Sequence, residues 1–214
     1  MRTLTLVTQK GGAGKTTLAA SLAVAAAEAG ERVIALDLDP QGSLGTWGDM
    51  RTADAPAVDR IGPDQLGSLA AILKALDGEG YTLAILDTAG VSSTGGNLAM
   101  QVADLALIPA RPSRLDLHAT MPTIETLMRL EMRDRFAFVL NQCPAGRSSR
   151  ATEAANGLGM FGVLAEPALT QRADHQDALA AGQGVTEYAS EGKAADEVRA
   201  LWAWADRKMK GNKA

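Results

Sequence analysis

A glycine-rich stretch near the N-terminus, from Lys10 to Thr17, constrains the fold of this chain more than any other feature. It follows the apolar run of residues 4–8 and precedes an alanine-rich segment, residues 18–29, that has a helical composition. The order of strand, glycine loop and helix is that of a phosphate-binding loop. The spelling departs from G-x-x-x-x-G-K-[ST], because Gln9 stands at the first glycine position and an extra lysine, Lys10, follows it.

The residues of this loop are suited to binding a nucleotide with its cation. Glycines let backbone N–H groups converge on phosphate oxygens, and the helix that follows adds unpaired N–H groups. Lys15 places a positive charge on the β- and γ-phosphates, and the hydroxyl of Thr16 is placed to bind Mg²⁺. The predicted nucleotide-binding residues of the loop are Lys10, Gly11, Gly12, Ala13, Gly14, Lys15, Thr16 and Thr17.

Apolar strand-like runs alternate with helical patterns along the 214 residues. This alternation predicts an α/β fold with a doubly wound, mostly parallel β-sheet that has helices on both faces. The length suits a single domain, residues 1–214, and the 46% hydrophobic content with only 4% aromatic residues predicts a core of small aliphatic side chains. We further expect Pro122 to kink or divide a helix over residues 115–129, and glycines 95 and 96 to leave a mobile loop.

Charge and cysteine content exclude several classes of protein. The net charge of −4 gives no global attraction to nucleic acid, so DNA binding would need a local patch. The only cysteine, Cys143, allows no disulfide within the chain and is expected to pack as a small apolar residue.

Neither a signal peptide nor an apolar run of membrane-spanning length is present, which predicts a cytoplasmic protein. The two histidines, His118 and His175, are predicted surface or packing residues.

Acidic residues follow two of the predicted strands, at the sheet edge where α/β proteins bind ligands. Asp37 and Asp39 end one strand and point to the same side, which would place both carboxylates near the γ-phosphate and Mg²⁺. One could hold the Mg²⁺ shell and the other could orient the attacking water. Without the glycine loop, a surface turn before Pro40 would be the better explanation of this pair. Asp87 ends an apolar strand as in a Walker B motif and is expected to bind Mg²⁺ through water.

Two further residues are expected to sense the γ-phosphate and the base. Gly90, in the segment after Asp87, resembles a switch residue whose backbone amide senses the γ-phosphate. Asn141 ends the strand over residues 136–140 and is placed to hydrogen-bond a purine base. A guanine-binding motif of the Asn-Lys-x-Asp kind would require an acidic residue after Asn141, and this chain has Gln142 and Cys143 there. The sequence therefore favours ATP over GTP.

Taken together, the loop at residues 10–17 and the segment Asp37-Leu38-Asp39-Pro40-Gln41-Gly42 resemble the deviant Walker A ATPases, and most of all the ParA/Soj/ParF partition ATPases. The strand end at Asp87, residues 108–116 and the Leu140-Asn141 pair also match, whereas the likeness is loose beyond residue 145. The chain starts directly at the strand before the loop, so we expect it to lack the N-terminal helix-turn-helix of the larger plasmid ParA proteins and their operator binding.

The resemblance implies an ATPase with slow turnover that forms a homodimer when it binds ATP and Mg²⁺. Lys10 would reach across to the partner's ATP, and Asp39 would position the water for hydrolysis. The dimer would bind DNA non-specifically and would be associated with the nucleoid in this state. A ParB-like or other cargo adaptor protein would stimulate hydrolysis and release the dimer, and no membrane would be involved.

The candidate DNA contacts are basic residues in one loop and at the C-terminal end of the chain, together with Arg172. The candidates are Arg147, Arg150, Arg172, Arg207, Lys208, Lys210 and Lys213. A solvated helix end explains the C-terminal basic residues equally well.

Three other protein classes are alternatives to this resemblance. A MinD-like membrane ATPase should end in an amphipathic helix, and the residues after Met209 have no apolar face. A synthetase of the dethiobiotin or cobyrinate type usually lacks the lysine at position 10 and would hydrolyse ATP only with its small substrate. A nitrogenase iron-protein-like reductase needs cysteines that this chain lacks.

Overall fold

The computed structural model of the chain describes residues 1–211. The strands are β1 (Arg2–Leu6), β2 (Val33–Asp37), β3 (Ala57–Arg60), β4 (Leu83–Asp87), β5 (Leu105–Ala110), β6 (Phe136–Leu140) and β7 (Val163–Leu164). The helices are α1 (Lys15–Glu28), α2 (Ser43–Met50), α3 (Leu69–Gly78), α4 (Thr94–Val102), α5 (Arg114–Arg129), α6 (Ser149–Gly159), α7 (Asp174–Ala180), α8 (Val185–Tyr188) and α9 (Lys193–Gly211). A short 3₁₀ turn, Leu66–Ser68, leads into α3.

The seven strands form one sheet in the order β3-β2-β4-β1-β5-β6-β7, and every described pair is parallel. The strand that precedes the glycine loop, β1, is therefore central, with β4 on one side and β5 on the other. This result confirms the predicted doubly wound α/β fold. It also brings the carboxyl ends of β1, β2 and β4 together at one edge of the sheet, where ligands bind in such folds.

Alternating strand residues pack against helices on the two faces of the sheet. On one face, Leu4, Leu6 and Ile85 contact a core formed with α1, α2, α7, α8 and α9. On the other face, residues such as Leu36 and Phe138 pack against α3, α4, α5 and α6. Helix α1 is buried around nearly its whole circumference, which explains its alanine-rich composition. As predicted, Cys143 is buried among apolar neighbours.

One local prediction was wrong, and one of the two alternatives for Pro122 is excluded. Glycines 95 and 96 do not form a mobile loop but lie in α4, whose first turn is capped by the Ser93 hydroxyl accepting the N–H of Gly96. A Cβ at Gly95 would lie 3.3 Å from Leu66 Cδ2, so close packing explains the glycine there. Pro122 does not divide α5, which continues from Arg114 to Arg129 with the proline ring exposed. The sequence also gave no indication of α7 and α8, because helices of seven and four residues are too short to show a clear periodicity.

Within residues 1–211, none of the helices has the length and apolar character needed to cross a membrane.

Candidate nucleotide-binding site

The glycine loop runs from the end of β1 to the start of α1, and its backbone conformation requires glycine at two positions. Gly12 and Gly14 have φ angles of 77° and 88°, which L-residues with a side chain rarely adopt. A Cβ at Gly14 would also lie 2.5 Å from the Asn141 side-chain nitrogen. The loop is therefore fixed both by its own conformation and by contact with the end of β6.

A cleft of about 600 Å³ lies over the N-terminus of α1. Lys15 lies in this cleft and is itself buried, which lowers the pKa of its ammonium group, while the charges of Asp87 and Asp39 act in the opposite direction. Backbone N–H groups, a helix N-terminus and a lysine around one cleft form a site for phosphate groups. The lining residues are Gly11, Gly12, Gly14, Lys15, Thr16, Thr17, Asp39, Pro40, Gln41, Ser43, Ala89, Gly90, Val91 and Ser93.

Thr16 and Asp87 fit the predicted magnesium site. The Thr16 hydroxyl donates a hydrogen bond of 2.6 Å to Oδ2 of Asp87. The other carboxylate oxygen, Oδ1, is buried and has no hydrogen-bond partner among residues 1–211. Burial raises the pKa of Asp87 to about 7, and the charges of Asp37 and Asp39 add to this effect, against the Thr16 hydrogen bond and the charge of Lys15. A buried carboxylate with one unpartnered oxygen is suited to a cation held with phosphate oxygens and water.

Asp37 and Asp39 lie close to this site but have different surroundings. Asp37 is buried, and its two oxygens accept the backbone N–H groups of Asp39 at 3.0 Å and of Gly45 at 2.8 Å. Burial raises the pKa of Asp37, while these backbone hydrogen bonds lower it. The carboxylate thus fixes the β2–α2 turn, and its predicted part in the Mg²⁺ shell stays a prediction. Asp39 is half-buried and lines the phosphate cleft, as predicted for a residue that orients water.

The side chain of Asn141 contacts the glycine loop. Its Nδ2 donates to the carbonyl of Ala13 at 2.9 Å, and its Oδ1 accepts the N–H of Gln142. Gln142 has a φ of 55°, and its side-chain amide donates to the carbonyl of Gly12 at 3.3 Å. In this structure Asn141 therefore holds the loop in place, and its predicted hydrogen bond to a purine base stays a prediction.

A second, smaller cleft of about 90 Å³ lies beside the phosphate cleft. The two clefts share Gly14 and Thr17 in their walls, so they are direct neighbours. Asn141 lies in the wall of this second cleft, which makes it the candidate site for the base. Its lining residues are Gly14, Thr17, Leu18, Ser21, Asn141, Gln142, Leu169, Thr170, Gln171, Arg172, His175 and Gln176.

Gly90 packs directly against the loop. A Cβ at this position would lie 3.1 Å from the backbone nitrogen and Cα of Gly11, which is closer than nearly all Cβ contacts in proteins. Just before it, the buried Thr88 hydroxyl donates to the carbonyl of Leu6 at 2.8 Å. The segment after β4 is thus attached to the end of β1, and its role as a γ-phosphate sensor stays a prediction.

Lys10 is held by Asp116 within the same chain. The Lys10 Nζ lies 2.8 Å from Oδ1 of Asp116, and Arg111 Nε contacts the same oxygen at 2.9 Å. The Ser113 hydroxyl bonds to the other oxygen and also caps α5. Burial raises the pKa of Asp116, but the hydrogen bonds from Lys10, Ser113 and Arg111 outweigh burial and hold the pKa below its usual value. Nothing in the sequence indicated that Asp116 would hold Lys10.

The predicted DNA-binding residues occupy different parts of the structure. Arg147 and Arg150 are exposed near the start of α6, where Arg150 and Arg114 line a cleft of about 550 Å³. Of the C-terminal candidates, Arg207 is exposed and Lys208 is half-buried on α9, and Lys210 is paired with Asp206 at 2.8 Å. Lys213 lies outside the described residues.

Arg172 was also predicted to contact DNA, and this role stays a prediction. Its guanidinium is paired with Glu197 at 2.8 Å, and the residue lines the second cleft. His175, predicted as a surface or packing residue, also lines this cleft, whereas His118 is exposed as predicted.

Comparison with known proteins agrees with this geometry. The family model described as the CobQ/CobB/MinD/ParA nucleotide binding domain matches residues 4–179. The chain belongs to this family. The "Maintenance of carboxysome distribution protein A" of Halothiobacillus neapolitanus is 30% identical to this family member, over 93% of this chain and 94% of that protein. "Protein ParA" of Rhizobium radiobacter is 31% identical, over 80% of this chain and 79% of that protein.

Solved structures of the ParA/MinD family share the fold. The septum site-determining protein MinD of Pyrococcus horikoshii, complexed with Mg-ADP, superposes with a TM-score of 0.78 over 100% of this chain and 98% of that chain, at 22% sequence identity. At this level of identity the likeness establishes the fold. The predicted membership of the ParA/MinD superfamily is confirmed by the family match.

Proposed function

We propose that this ParA/MinD family member is a positioning ATPase that alternates between an ATP-bound homodimer and a monomer. Lys15 and the backbone of residues 11–17 would hold the phosphates of ATP, as in other phosphate-binding loops. Thr16 and Asp87 would hold Mg²⁺, whose positive charge would stabilise the negative charge that develops on the phosphates during hydrolysis. Asp39, at the rim of the phosphate cleft, would orient the attacking water.

The observation that carries this proposal is the placement of Lys10. Lys10 is absent from the lining of its own chain's phosphate cleft, as far as residues 1–211 define it, and is held instead by Asp116. Lys15 already supplies the charge for the phosphates in that cleft. A second lysine that is outside its own site but adjacent to the loop is available to a second molecule. We infer that Lys10 leaves Asp116 and contacts the partner's phosphates when two ATP-bound chains meet face to face, where an added cation offsets phosphate repulsion.

Further parts of the proposal concern partners. The relatives whose names refer to ParA and to carboxysome distribution support a role in positioning a cargo. The ATP-bound dimer would bind DNA non-specifically through Arg147, Arg150 and the basic residues of α9. An adaptor protein of the ParB kind, bound to the cargo, would stimulate ATP hydrolysis. Arg172 is left out of this DNA-binding set because Glu197 pairs with it.

The first experiment measures DNA binding and oligomeric state together. Binding to random-sequence DNA is measured with ATP and Mg²⁺, with ADP and Mg²⁺, and without nucleotide, each at two salt concentrations. Light scattering of the same samples reports the mass. We expect DNA binding and dimers with ATP only, and weaker DNA binding at high salt, because phosphate contacts release counterions.

The matched variants separate the parts of the proposal. Lys10→Ala should bind ATP but not form dimers, whereas Lys74→Ala, which removes an exposed lysine of α3, should behave as the wild type. Arg147→Ala with Arg150→Ala should form dimers that bind DNA weakly. Equal DNA binding in all nucleotide states, or dimers of the Lys10→Ala variant, would contradict the proposed switch. ATP turnover that requires a small carboxylate substrate would instead support a synthetase.

A further inference from the structure

The second cleft contains two buried polar atoms that the described chain does not satisfy. The Nε atom of Arg172 and the Nε2 atom of His175 are buried, and neither has a hydrogen-bond partner within residues 1–211. Both residues line the cleft that lies beside the phosphate site. A buried polar group without a partner typically costs about 1–3 kcal/mol, so most such groups in folded proteins have a partner or a functional reason. Two of them in one small cleft indicate a ligand with polar atoms of its own.

The chemistry of the two atoms indicates what that ligand is. The Nε–H of an arginine can only donate a hydrogen bond, whereas a neutral imidazole nitrogen can donate or accept. Burial lowers the pKa of His175, against the charges of Glu197 and Asp174, which favours the neutral imidazole. A purine base offers both kinds of group, because it has ring nitrogens that accept and, in adenine, an exocyclic amino group that donates. The cleft shares Gly14 and Thr17 with the phosphate site, so it lies within reach of the base of a nucleotide whose phosphates are held there.

A carboxylate from the C-terminal helix holds Arg172 in this position. Oε1 of Glu197, on α9, accepts from Arg172 Nη2 at 2.8 Å and from the Thr170 hydroxyl at 2.9 Å. Its other oxygen accepts the backbone N–H of Thr170 at 2.8 Å. With Nη2 bound to Glu197, the unpartnered Nε–H remains for a ligand. One side chain of α9 thus fixes both the loop and the guanidinium that form a wall of the cleft.

We propose that Arg172 and His175 bind the adenine base of the nucleotide and that Glu197 is the residue that positions Arg172 for this contact. This inference rests on the proposed ATP binding and assigns its base-binding residues. It also accounts for the pairing of Arg172 with Glu197, which leaves Arg172 outside the proposed DNA-binding set.

The test compares ATP with inorganic tripolyphosphate, which carries the phosphates but no base. Dissociation constants for both are measured by calorimetry with the full chain and Mg²⁺, for the wild type and for variants of the three residues. Arg172→Ala and His175→Ala should each weaken ATP binding by about tenfold, the effect of one lost hydrogen bond in a buried site, and leave tripolyphosphate binding within about twofold of the wild type. Glu197→Gln should have the same pattern with a smaller loss, because the amide still accepts from Thr170 but no longer pairs with the guanidinium.

The controls address folding and simple loss of charge. Asp196→Asn removes an exposed carboxylate one residue before Glu197 and should change neither affinity. Arg172→Lys keeps the charge near Glu197 but lacks the Nε–H, so it should lose ATP affinity like Arg172→Ala while unfolding at nearly the wild-type temperature.

Each remaining outcome counts against the proposal in a distinct way. Unchanged ATP affinity in all three variants would mean that other groups bind the base. Equal losses for ATP and tripolyphosphate would mean that the three residues act on the loop and not on the base. If the wild type binds neither ligand, the proposed function itself fails; if it binds both equally, only the base-binding assignment fails.

Discussion

Replacing Asp87 with asparagine should stabilise the chain when no nucleotide is present, and the gain should increase with pH. The carboxylate of Asp87 is fully buried, and Oδ1 has no partner within the described part of the chain. Burial raises its pKa from 3.8 to about 7. An ionised carboxylate in this position is therefore a cost to the folded state, and the neutral amide of an Asp87→Asn variant avoids it.

The sign and the size of this pH-dependent change in the free energy of unfolding follow from proton linkage. Between about pH 4 and about pH 7, the folded chain holds a proton on Asp87 that the unfolded chain has lost, so the free energy of unfolding decreases as the pH rises. The decrease is about 1.4 kcal/mol per pH unit for one group. The two pKa values differ by roughly three units, so the free energy of unfolding is lower by about 4 kcal/mol once the pH exceeds 7. Any cost of burying the amide of the variant is about 1–3 kcal/mol and does not depend on pH.

The assay is urea unfolding of the nucleotide-free chain between about pH 5 and pH 8.5, followed by the fluorescence of the buried residues Trp47 and Trp202. The difference between Asp87→Asn and the wild type removes the contributions of other titrating groups. Asp54→Asn, which removes an exposed carboxylate, is the matched control and should follow the wild type within about 0.5 kcal/mol.

Magnesium and nucleotide should make the wild type more stable than the Asp87→Asn variant. Cation binding supplies the missing positive charge, so saturating Mg²⁺ and ATP should stabilise the wild type but not Asp87→Asn. The reasoning is refuted if the difference in the free energy of unfolding between the two chains is the same at pH 5 and pH 8. That result would mean that the buried carboxylate carries no ionisation cost.

Four further predictions concern the loop and its neighbours. Lys15→Ala should weaken nucleotide binding by about a hundredfold or more, since charge-assisted contacts to the phosphates are lost; calorimetry with near-normal affinity would contradict the phosphate-loop assignment. Asp116→Asn should permit dimers at lower ATP concentration than the wild type in light scattering, because Lys10 is no longer held within its own chain. Asp39→Ala should bind ATP but release phosphate slowly in a turnover assay and accumulate as the dimer, and wild-type turnover would remove its role in orienting water. Gly14→Ala should lose nucleotide binding, and its melting temperature should fall, because a side chain at φ 88° costs about 1–2 kcal/mol and its Cβ would overlap the Asn141 side chain.

The fold and the phosphate site could be predicted because local patterns determine them. The loop depends on consecutive residues between a strand and a helix, and the positions of Asp39 and Asp87 follow from being at the ends of parallel strands. In such a sheet the carboxyl ends of neighbouring strands must meet. The sequence therefore predicts which residues surround the phosphates without knowledge of any long-range side-chain contact.

The residues that were missed depend on partners distant in the sequence. Lys10 meets Asp116, and Arg172 meets Glu197 on a different helix. No periodicity or spacing indicates such pairs, because the two partners belong to different elements and only the folded chain brings them together. Arg172 was consequently predicted to bind DNA, and His175 to be a surface or packing residue, although both line the second cleft.

The central position of β1 has a consequence for how the chain is made. Strand β1 leaves the ribosome well before its neighbours, since Arg2 pairs with Leu83 of β4 and Leu4 pairs with Leu105 of β5. For the synthesis of about 80 residues, the nascent chain therefore carries an apolar strand without a hydrogen-bonding neighbour, a state that is prone to aggregation. The glycine loop is complete early, yet Asp87 and Glu197 are added only later. A nascent chain that ends before these residues therefore lacks the groups proposed to hold magnesium and the base.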